Sequence, residues 1–242
     1  LNYDGNGYNI AMGYAAGMSV TTGVQNTIIG GLAGDALTTG TDNVAVGYLS
    51  LSTEDGHGRN VAIGKGTLRN LDAGVDGYNV AVGFEAGTLV TTGVENAIVG
   101  GLAGDAMTTG SYNAVLGTSA LGANTKSNAN VAIGNSALAS HNLTSSTAAY
   151  NIAIGFNAGL SVSTGVENVL IGGLTGDALT TGQYNTAVGH KSLSGEDTGN
   201  RNTALGYKTL EVLNYDGNAE NTAVGYIAGA SITTGLRNTL VG

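Results

Sequence analysis

The sequence contains no cysteine, no proline and no tryptophan, and only 10% of its 242 residues are charged. Without cysteine the chain forms no disulfide and offers no thiolate to a metal ion. The net charge of −9 disfavours nucleic acid and anionic membranes as partners, because both require clusters of Lys and Arg. No run of about 20 apolar residues indicates a membrane span. We therefore expect no nucleic acid partner and no membrane insertion in this segment.

Glycine and a short asparagine motif are abundant instead. The 42 glycines exceed ordinary globular usage, while the 42% hydrophobic share argues against disorder. The motif N-x-x-[apolar]-G recurs along the whole chain, and repeats of a few tens of residues or fewer predict stacked architectures. Its anchor residues are Asn9, Asn26, Asn43, Asn60, Asn79, Asn96, Asn113, Asn130, Asn151, Asn168, Asn185, Asn202, Asn221 and Asn238.

The anchors are 17 residues apart except at every fourth step, where the spacing is 19, 21 and 19 residues. The repeats therefore group into blocks of four, at residues 9–78, 79–150, 151–220 and 221–242. The letters LNYDGN occur at residues 1–6 and again at residues 213–218. We interpret residues 1–242 as a single continuous repeat segment and expect it to be a window of a longer polypeptide.

Each repeat predicts a short strand. In the copy NVAIG at Asn60, Val61 and Ile63 share one face and Ala62 lies on the other, and β-branched residues at these positions favour strand over helix. The fourth letter of every copy is a large apolar residue. We expect this fourth-letter column to face the interior and to form a continuous apolar ladder.

A 17-residue unit has a contour of about 56 Å at ~3.3 Å per residue, which suffices for one flattened coil. We expect two short strands and two turns per coil, the second strand at residues such as Val20 and Leu37 before a Thr-Thr-Gly turn. Parallel stacking of about 14 coils would give an all-β, parallel β-solenoid on the order of 65 Å long. The longer units insert residues before Asn79 and Asn151, where the edge should bulge.

The Asn and Gly of the motif have backbone roles in this interpretation. The Asn amide can hydrogen-bond to its equivalents in the coils above and below, and Gly allows the positive φ needed where the strand ends. We predict such a structural ladder for all fourteen anchors. The glycines of the first block that belong to it are Gly13, Gly30, Gly47 and Gly64.

On these residues the chain resembles two known groups. Repeats of the form N-[TSV]-[VA]-[AI]-[IV]-G resemble the β-roll head repeats of trimeric autotransporter adhesins, and NTAVGY with TTG and YN resembles repeat arrays of phage tail fibres. The resemblance covers the whole chain. It implies left-handed coils of the β-roll type, three chains side by side, and attachment of a cell or virion to a surface.

Three kinds of chemistry are weaker alternatives. Asp35, Asp105 and Asp177 lie in GGLAGDALT or close variants, which are similar to a calcium-binding nonapeptide. The second glycine of that nonapeptide is missing, and the copies are four coils apart, so we favour surface carboxylates and no cofactor. Thr-Thr pairs such as Thr21-Thr22 indicate an ice-binding array, but half of the coils lack them.

Adjacent acids would suggest a glycosidase, but they do not form a convincing pair. Glu54-Asp55 and Glu196-Asp197 are neighbours in sequence and should face opposite sides, whereas glycoside hydrolysis needs two converging carboxylates. The three histidines, His57, His141 and His190, occupy three different positions in their units and predict no triad. We predict that the segment is not an enzyme.

Aromatic residues form two stripes, and we expect them to contact another chain or a glycan. The first stripe stands directly before anchor residues and consists of Tyr8, Tyr78, Tyr112, Tyr150 and Tyr184. The second follows the motif glycine and consists of Tyr14, Tyr48, Phe84, Phe156, Tyr207 and Tyr226.

The sequence therefore predicts a structural, non-enzymatic segment of an extracellular, cell-surface or virion attachment fibre. Its partner would be itself, as a homotrimer or an end-to-end filament. Two alternatives stay open: an adhesin head whose lateral surface binds host glycans or matrix, and a secreted filament subunit. An attachment role would add a host-surface glycan or receptor as an external partner.

Overall fold

The computed structural model describes residues 7–242. The first copy of LNYDGN, residues 1–6, lies outside the described residues. The chain divides into two units, residues 1–118 and 119–242, and each is treated by itself below. We call the residues from one anchor Asn to the residue before the next a coil.

The first unit contains seven three-residue strands, one at the start of each coil. Each pairs in parallel with the next strand in sequence, and equivalent motif positions face each other, as in Ile29 opposite Val46. The strands are β1 (Ile10–Met12), β2 (Thr27–Ile29), β3 (Val44–Val46), β4 (Val61–Ile63), β5 (Val80–Val82), β6 (Ala97–Val99) and β7 (Ala114–Leu116).

The second unit repeats this arrangement. Its strands pair in parallel in sequence order, and the register absorbs the longer spacings, so that Val131 faces Ile152 and Thr203 faces Thr222. They are β8 (Val131–Ile133), β9 (Ile152–Ile154), β10 (Val169–Ile171), β11 (Thr186–Val188), β12 (Thr203–Leu205), β13 (Thr222–Val224) and β14 (Thr239–Val241).

Consecutive parallel strands joined by one coil each define a β-solenoid, so the predicted all-β parallel solenoid with repeats of 17–21 residues is confirmed. The predicted second strand is wrong, because residues 7–242 carry one strand per coil. At the Thr-Thr segment a few hydrogen bonds still join the coils: Thr21 N–H donates to Thr38 O at 2.9 Å, and Thr38 N–H donates to Asp55 O at 2.6 Å. This hydrogen-bonded segment has too few residues to form a strand.

The prediction for the interior face of the strand is also wrong. The central residue is buried in every strand from β2 to β13, as Ile28, Ala45 and Ala62 show, each 0% exposed, and it is not buried in the terminal strands β1 and β14. The fourth-letter column lies on the outer face, where Ile63 is 38% exposed and Leu116 is 49% exposed. Alternation divided the strand residues into two faces, but in strands with a central alanine, such as Val61–Ile63, the larger side chains are on the outside.

The core stays filled because a large side chain at one position of a coil is accompanied by a small residue at another. In the second coil, Ile28 and Leu37 are buried beside Gly34, where an added Cβ would come within 2.8 Å of Leu37 Cδ1. In the fourth coil, central Ala62 is small and Leu68 takes the place equivalent to Gly34. The alternation of Gly and Leu eight residues after the anchor therefore reflects core packing.

This packing requires unusual backbone at buried leucines. Leu51 and Leu68 have φ of 50° and 48°, the left-handed region, although their side chains are fully buried. The conformation costs about 1–2 kcal/mol in a non-glycine residue, and burying a leucine side chain contributes about 1.5–3 kcal/mol. Burial therefore offsets the strain.

The motif glycine ends the strand where two coils approach most closely. Gly47 has φ of +135°, and a Cβ placed on it would lie 2.4 Å from Gly64 O in the next coil. Gly30 repeats this geometry against Gly47. The predicted positive φ at this position is thus present, and close contact between backbones adds a second reason for glycine.

The longer coils place their extra residues at one edge and leave the strands in register. Val61 pairs with Val80 across the 19-residue coil, and the inserted Val75 is 56% exposed. In the second unit, Asn200 and Asn218 form an isolated parallel bridge beside the insertion. The sheet continues because the insertion lies after the core positions of the coil.

We predict that Gly47→Ala lowers the free energy of unfolding by about 2 kcal/mol or more, because the new Cβ meets backbone and strains φ. The matched control is Gly31→Ala, one coil earlier. Gly31 has ordinary φ, and its added Cβ would meet only the Tyr48 ring at 3.5 Å. Urea unfolding followed by circular dichroism measures both; equal destabilisation would contradict this account of the motif glycine.

Candidate functional surfaces

The anchor asparagines form a hydrogen-bonded ladder inside each unit. Asn26 N–H and Nδ2 both donate to Asn9 Oδ1, at 2.8 and 3.2 Å, and Asn26 Nδ2 also donates to Gly40 O at 2.8 Å. The same set recurs in the second unit, where Asn185 donates to Asn168 Oδ1 and to Gly199 O. In these examples the amide joins two coils and also closes its own coil, whereas Asn60 Nδ2 donates to Gly58 O of the preceding coil.

These amides serve the fold. In Asn96, the amide oxygen accepts two hydrogen bonds from Asn113, and Nδ2 donates to Asn79 Oδ1 and Gly110 O. Asn96 is 1% exposed. A group with its donors and acceptors used inside the protein has none to offer a substrate.

The outer face of the sheet is uncharged along each unit and mostly apolar, with threonine as the first residue of five strands. It is formed by the first and third residues of every strand, and neither column contains a charged residue. Ile10, Met12 and Val80 are 57%, 62% and 41% exposed in the first unit. We call these two columns the sheet face.

The predicted tyrosine stripes lie along the two margins of the sheet face. Directly before the anchors, the stripe residues have φ between 47° and 62° and are exposed: Tyr8, Tyr78, Tyr112, Tyr150 and Tyr184. A shallow depression of about 390 Å³ is lined by Tyr78 together with Val80, Glu95, Asn96 and Ala97, which places this stripe against the sheet face. On the other margin, Tyr14 is 83% and Tyr48 50% exposed.

The second stripe includes stacked rings. His190 and Tyr207 have ring centroids 5.6 Å apart, and Tyr207 and Tyr226 have centroids 5.3 Å apart, with interplanar angles of 12° and 9°. These residues directly follow the motif glycine of consecutive coils. We call this file of residues, one per coil, the ring column.

Charges before the anchors pair between neighbouring coils. In the first unit, Arg59 bridges to Asp42 and to Asp76 of the inserted loop, and its guanidinium lies 5.4 Å from the Tyr78 ring centroid. In the second unit, Glu220 lies 3.6 Å from Arg201 and 3.1 Å from Arg237. Variation between coils therefore places opposite charges next to each other on this margin.

The acid pairs are divided between core and surface, as their adjacency predicts. Glu54 is fully buried eleven residues after its anchor, and Asp55 is exposed. Glu54 Oε1 accepts the N–H of His57 at 3.0 Å, and Oε2 accepts the N–H of Ala73 in the next coil at 3.3 Å. The carboxylate therefore holds the turn and the following long coil together.

The other blocks use the same core position in the same way. Glu196 accepts N–H groups of Gly199 at 2.7 Å and Tyr215 at 3.3 Å, and Asn124 Oδ1 accepts Ser127 N–H at 2.9 Å. Burial raises the pKa of Glu196, while the N–H donors oppose that rise. In the sequence these polar residues share the position eleven residues after the anchor with the apolar core residues of other coils. Because they are polar, the sequence did not predict that they lie in the core.

One group of side chains has the composition of a metal site. Ligand atoms of Glu54, Asp55, His57 and Asp72 lie within 4.8 Å of one another, and His57 Nδ1 is 3.2 Å from Glu54 Oε1. Carboxylate and imidazole suit several divalent ions. In the third block Gly199 stands at the position of His57, and Glu196 still accepts a hydrogen bond from the N–H at that position. The hydrogen bond of the turn therefore does not require the imidazole.

The three motif aspartates lie outside this group. Asp35, Asp105 and Asp177 follow the ring column by four residues in the second coil of each block and are half-buried. Oδ1 of Asp35 and of Asp177 is shielded from solvent and accepts no hydrogen bond among the described residues. Burial raises the pKa of Asp105 and of Asp177, and the nearby charges of Lys191 and His190 oppose the rise at Asp177.

The three histidines have different environments within their own units. His57 is at a turn, His190 is exposed in the ring column, and His141 is fully buried in the core. His141 stands eleven residues after its anchor, where the equivalent coils carry Leu71 and Leu213. Burial lowers the pKa of His141 to about 4.

No protein-family model, curated protein or solved structure matches the chain. Between residues 7 and 242, no helix is long and apolar enough to cross a membrane.

We predict that His141 makes the second unit sensitive to acid. Burial in the folded state disfavours protonation of His141, whereas the imidazole has a pKa of about 6.5 in the unfolded state. The free energy of unfolding is therefore unaffected by this group above pH 6.5. Below that value it decreases as the pH drops towards 4, by roughly 3 kcal/mol in total. His141→Leu, which copies Leu71, should remove this part of the pH dependence. Unfolding curves of both proteins between pH 7 and 4 give the difference, and parallel curves would contradict the prediction.

Proposed function

We propose that this chain is a structural, non-enzymatic segment of an extracellular attachment fibre, on a cell or a virion, that associates side by side with copies of itself. The observation that carries the proposal is the uncharged, apolar sheet face. Soluble monomers rarely expose large contiguous apolar patches, and such patches mark interaction sites. The repeat arrangement supports a structural role in a fibre, since each coil stacks on its neighbours and the array can extend in one direction.

The size of the sheet face suits association between copies. Seven coils at ~4.8 Å and a three-residue strand at ~3.3 Å per residue give roughly 330 Å² for the sheet face of each unit, and the two stripes on its margins widen this surface to about seven residues, or roughly 800 Å². One partner contributes about that much to a standard stable interface. A second copy presents the same ~4.8 Å spacing of side chains, so ridges and grooves can match along the whole length.

The margins support the same arrangement. Tyrosine, with an apolar body and a polar tip, is enriched at protein interfaces, and Tyr78 and Tyr184 stand beside the sheet face. Each is also held by a cation from its own unit, Arg59 over Tyr78 and Arg201 over Tyr184. An ordered aromatic side chain loses less conformational freedom on association than a mobile one. Three chains side by side is the symmetry that the resemblance implies.

The test is the mass of the protein in solution, measured by light scattering after size exclusion. We expect the wild-type segment to have three times the chain mass, and Val46→Lys with Val99→Lys, both on the sheet face, to reduce it to one. The matched control places two lysines away from that face, as Thr53→Lys with Val75→Lys, and should keep the trimer.

A monomeric wild-type protein would contradict the association, and an open-ended mass distribution would indicate the end-to-end filament instead. Unchanged mass in the sheet-face variant would remove the sheet face as the interface. Circular dichroism of each variant establishes that the fold is retained.

A further inference from the structure

The shallow depression beside the sheet face of the first unit has the size and lining of a small-ligand site. Its volume is about 390 Å³, and it is lined by Tyr78, Val80, Glu95, Asn96 and Ala97. Ligand pockets typically have volumes of about 300–1,000 Å³ and an apolar or aromatic lining with a few polar groups. Tyr78 and Ala97 are exposed, so the depression opens to solvent.

Ala97 makes room for the depression. The first residue of each strand from β1 to β5 is isoleucine, threonine or valine, and Ala97 is the first residue of β6. At the equivalent position of the third block the chain has Val169. Valine would place two more carbon atoms beside Val80, and Ala97 leaves that space open.

Glu95 gives the depression a negative charge that the chain does not neutralise. In the column directly before the anchors, Asp42 is paired with Arg59. Glu95 stands between Tyr78 and Tyr112 in this column and forms no ion pair among the described residues. A cation that enters the depression is therefore attracted by a carboxylate without having to displace another cation.

The Tyr78 ring is a second attraction for a cation. Cations bind the faces of tyrosine rings through the ring quadrupole, and the Arg59 guanidinium already lies 5.4 Å from the Tyr78 centroid. Arg59 does not line the depression, and its charge is offset by Asp42 and Asp76. The net charge of −9 adds a general attraction for cations. The lining therefore favours a positively charged ligand.

The hydrogen-bonding groups of the lining distinguish between kinds of cation. A primary ammonium group has three N–H donors that need acceptors. The Asn96 amide makes its hydrogen bonds inside the ladder, and the Tyr78 hydroxyl accepts one from Arg59, so Glu95 offers most of the acceptor capacity. A quaternary ammonium group has no N–H to satisfy, and its methyl groups can contact Val80 and Ala97.

We propose that this depression binds a quaternary ammonium head group, with the cation beside the Tyr78 ring and the Glu95 carboxylate. Its methyl groups pack on Val80 and Ala97. The site goes beyond the self-association proposed above and does not depend on it. In the second unit Val169 occupies the space that Ala97 leaves open, so the head group binds in the first unit.

The test is a titration of the wild-type protein with choline, followed by saturation-transfer-difference NMR. Two further probes separate charge from shape. The first is 3,3-dimethylbutan-1-ol, which has the shape of choline without its charge, and the second is n-butylammonium, a primary ammonium ion. We expect choline to bind, and each of the other two probes to bind about tenfold more weakly or not at all.

Single substitutions locate the site. Ala97→Val fills the depression with the residue that the third block has there, and Glu95→Gln removes the charge; each should weaken choline binding about tenfold. The matched controls are Ala114→Val, at the next position of the same column but outside the lining, and Glu167→Gln, the equivalent glutamate of the second unit. Both controls should bind choline as the wild type does.

Absence of choline binding to the wild type would overturn the proposal, as would equal binding of the uncharged probe or equal losses in the controls. Equal or tighter binding of n-butylammonium would overturn the assignment to a quaternary ammonium group. Circular dichroism establishes that each variant is folded, and Glu95→Gln decides alone if Ala97→Val does not fold. Light scattering on the same samples reports self-association separately, because a monomer that binds choline would contradict only the proposed fibre association.

Discussion

The structure depends on the requirement that each coil satisfy its polar backbone and its Asn amide through the coil next to it. Asn96 shows the arrangement, with Oδ1 occupied by Asn113 and Nδ2 shared between Asn79 and Gly110. A buried amide left without these partners would cost about 1–3 kcal/mol. Coils must therefore stay in register, and this keeps the Asn and the following Gly at the same place in every coil while the rest of the coil varies.

The other positions of the coil vary in sequence, and they vary for different reasons inside and outside the coil. Inside, volume is exchanged between Ile28 beside Gly34 and Leu68 beside Ala62, so that the core stays filled. Outside, opposite charges such as Glu220 and Arg237 are placed in neighbouring coils, where identical repeats would stack like charges. The four-coil block is consistent with this need for compatible neighbours.

Much of the fold follows from the sequence, and the errors have a physical cause. The spacing of Asn and Gly gave the coil length, the parallel stacking and the site of the insertions. Alternation in Val61-Ala62-Ile63 separated two faces, but could not tell which one is inside, because an alanine packs well where a neighbouring Leu68 fills the space. The prediction of a second strand was wrong because the side-chain pattern does not show how many backbone hydrogen bonds a short segment makes.

The functional surfaces were found only in part. The tyrosine stripes stand where the sequence placed them, beside an exposed sheet face that had been assigned to the interior. The adjacency of Glu54-Asp55 and of Glu196-Asp197 predicted opposite faces, but nothing in the letters reveals that the buried carboxylates of Glu54 and Glu196 accept hydrogen bonds from turn N–H groups. The difference between Gly30 and Gly31 is visible only in three dimensions, because a Cβ would lie 2.5 Å from Gly47 O at the first and 3.5 Å from the Tyr48 ring at the second.

The most direct measurement of coil stacking uses the absence of native cysteine. Ile29→Cys with Val46→Cys places two thiols at facing positions of neighbouring coils, with Cα atoms about 4.8 Å apart, within the range of a disulfide. Ile29→Cys with Ala45→Cys places them on opposite faces of the sheet. The stacking predicts an intramolecular disulfide, by mass spectrometry of the oxidised monomer, in the first pair and none in the second. Cross-linking of the second pair with none in the first would contradict it.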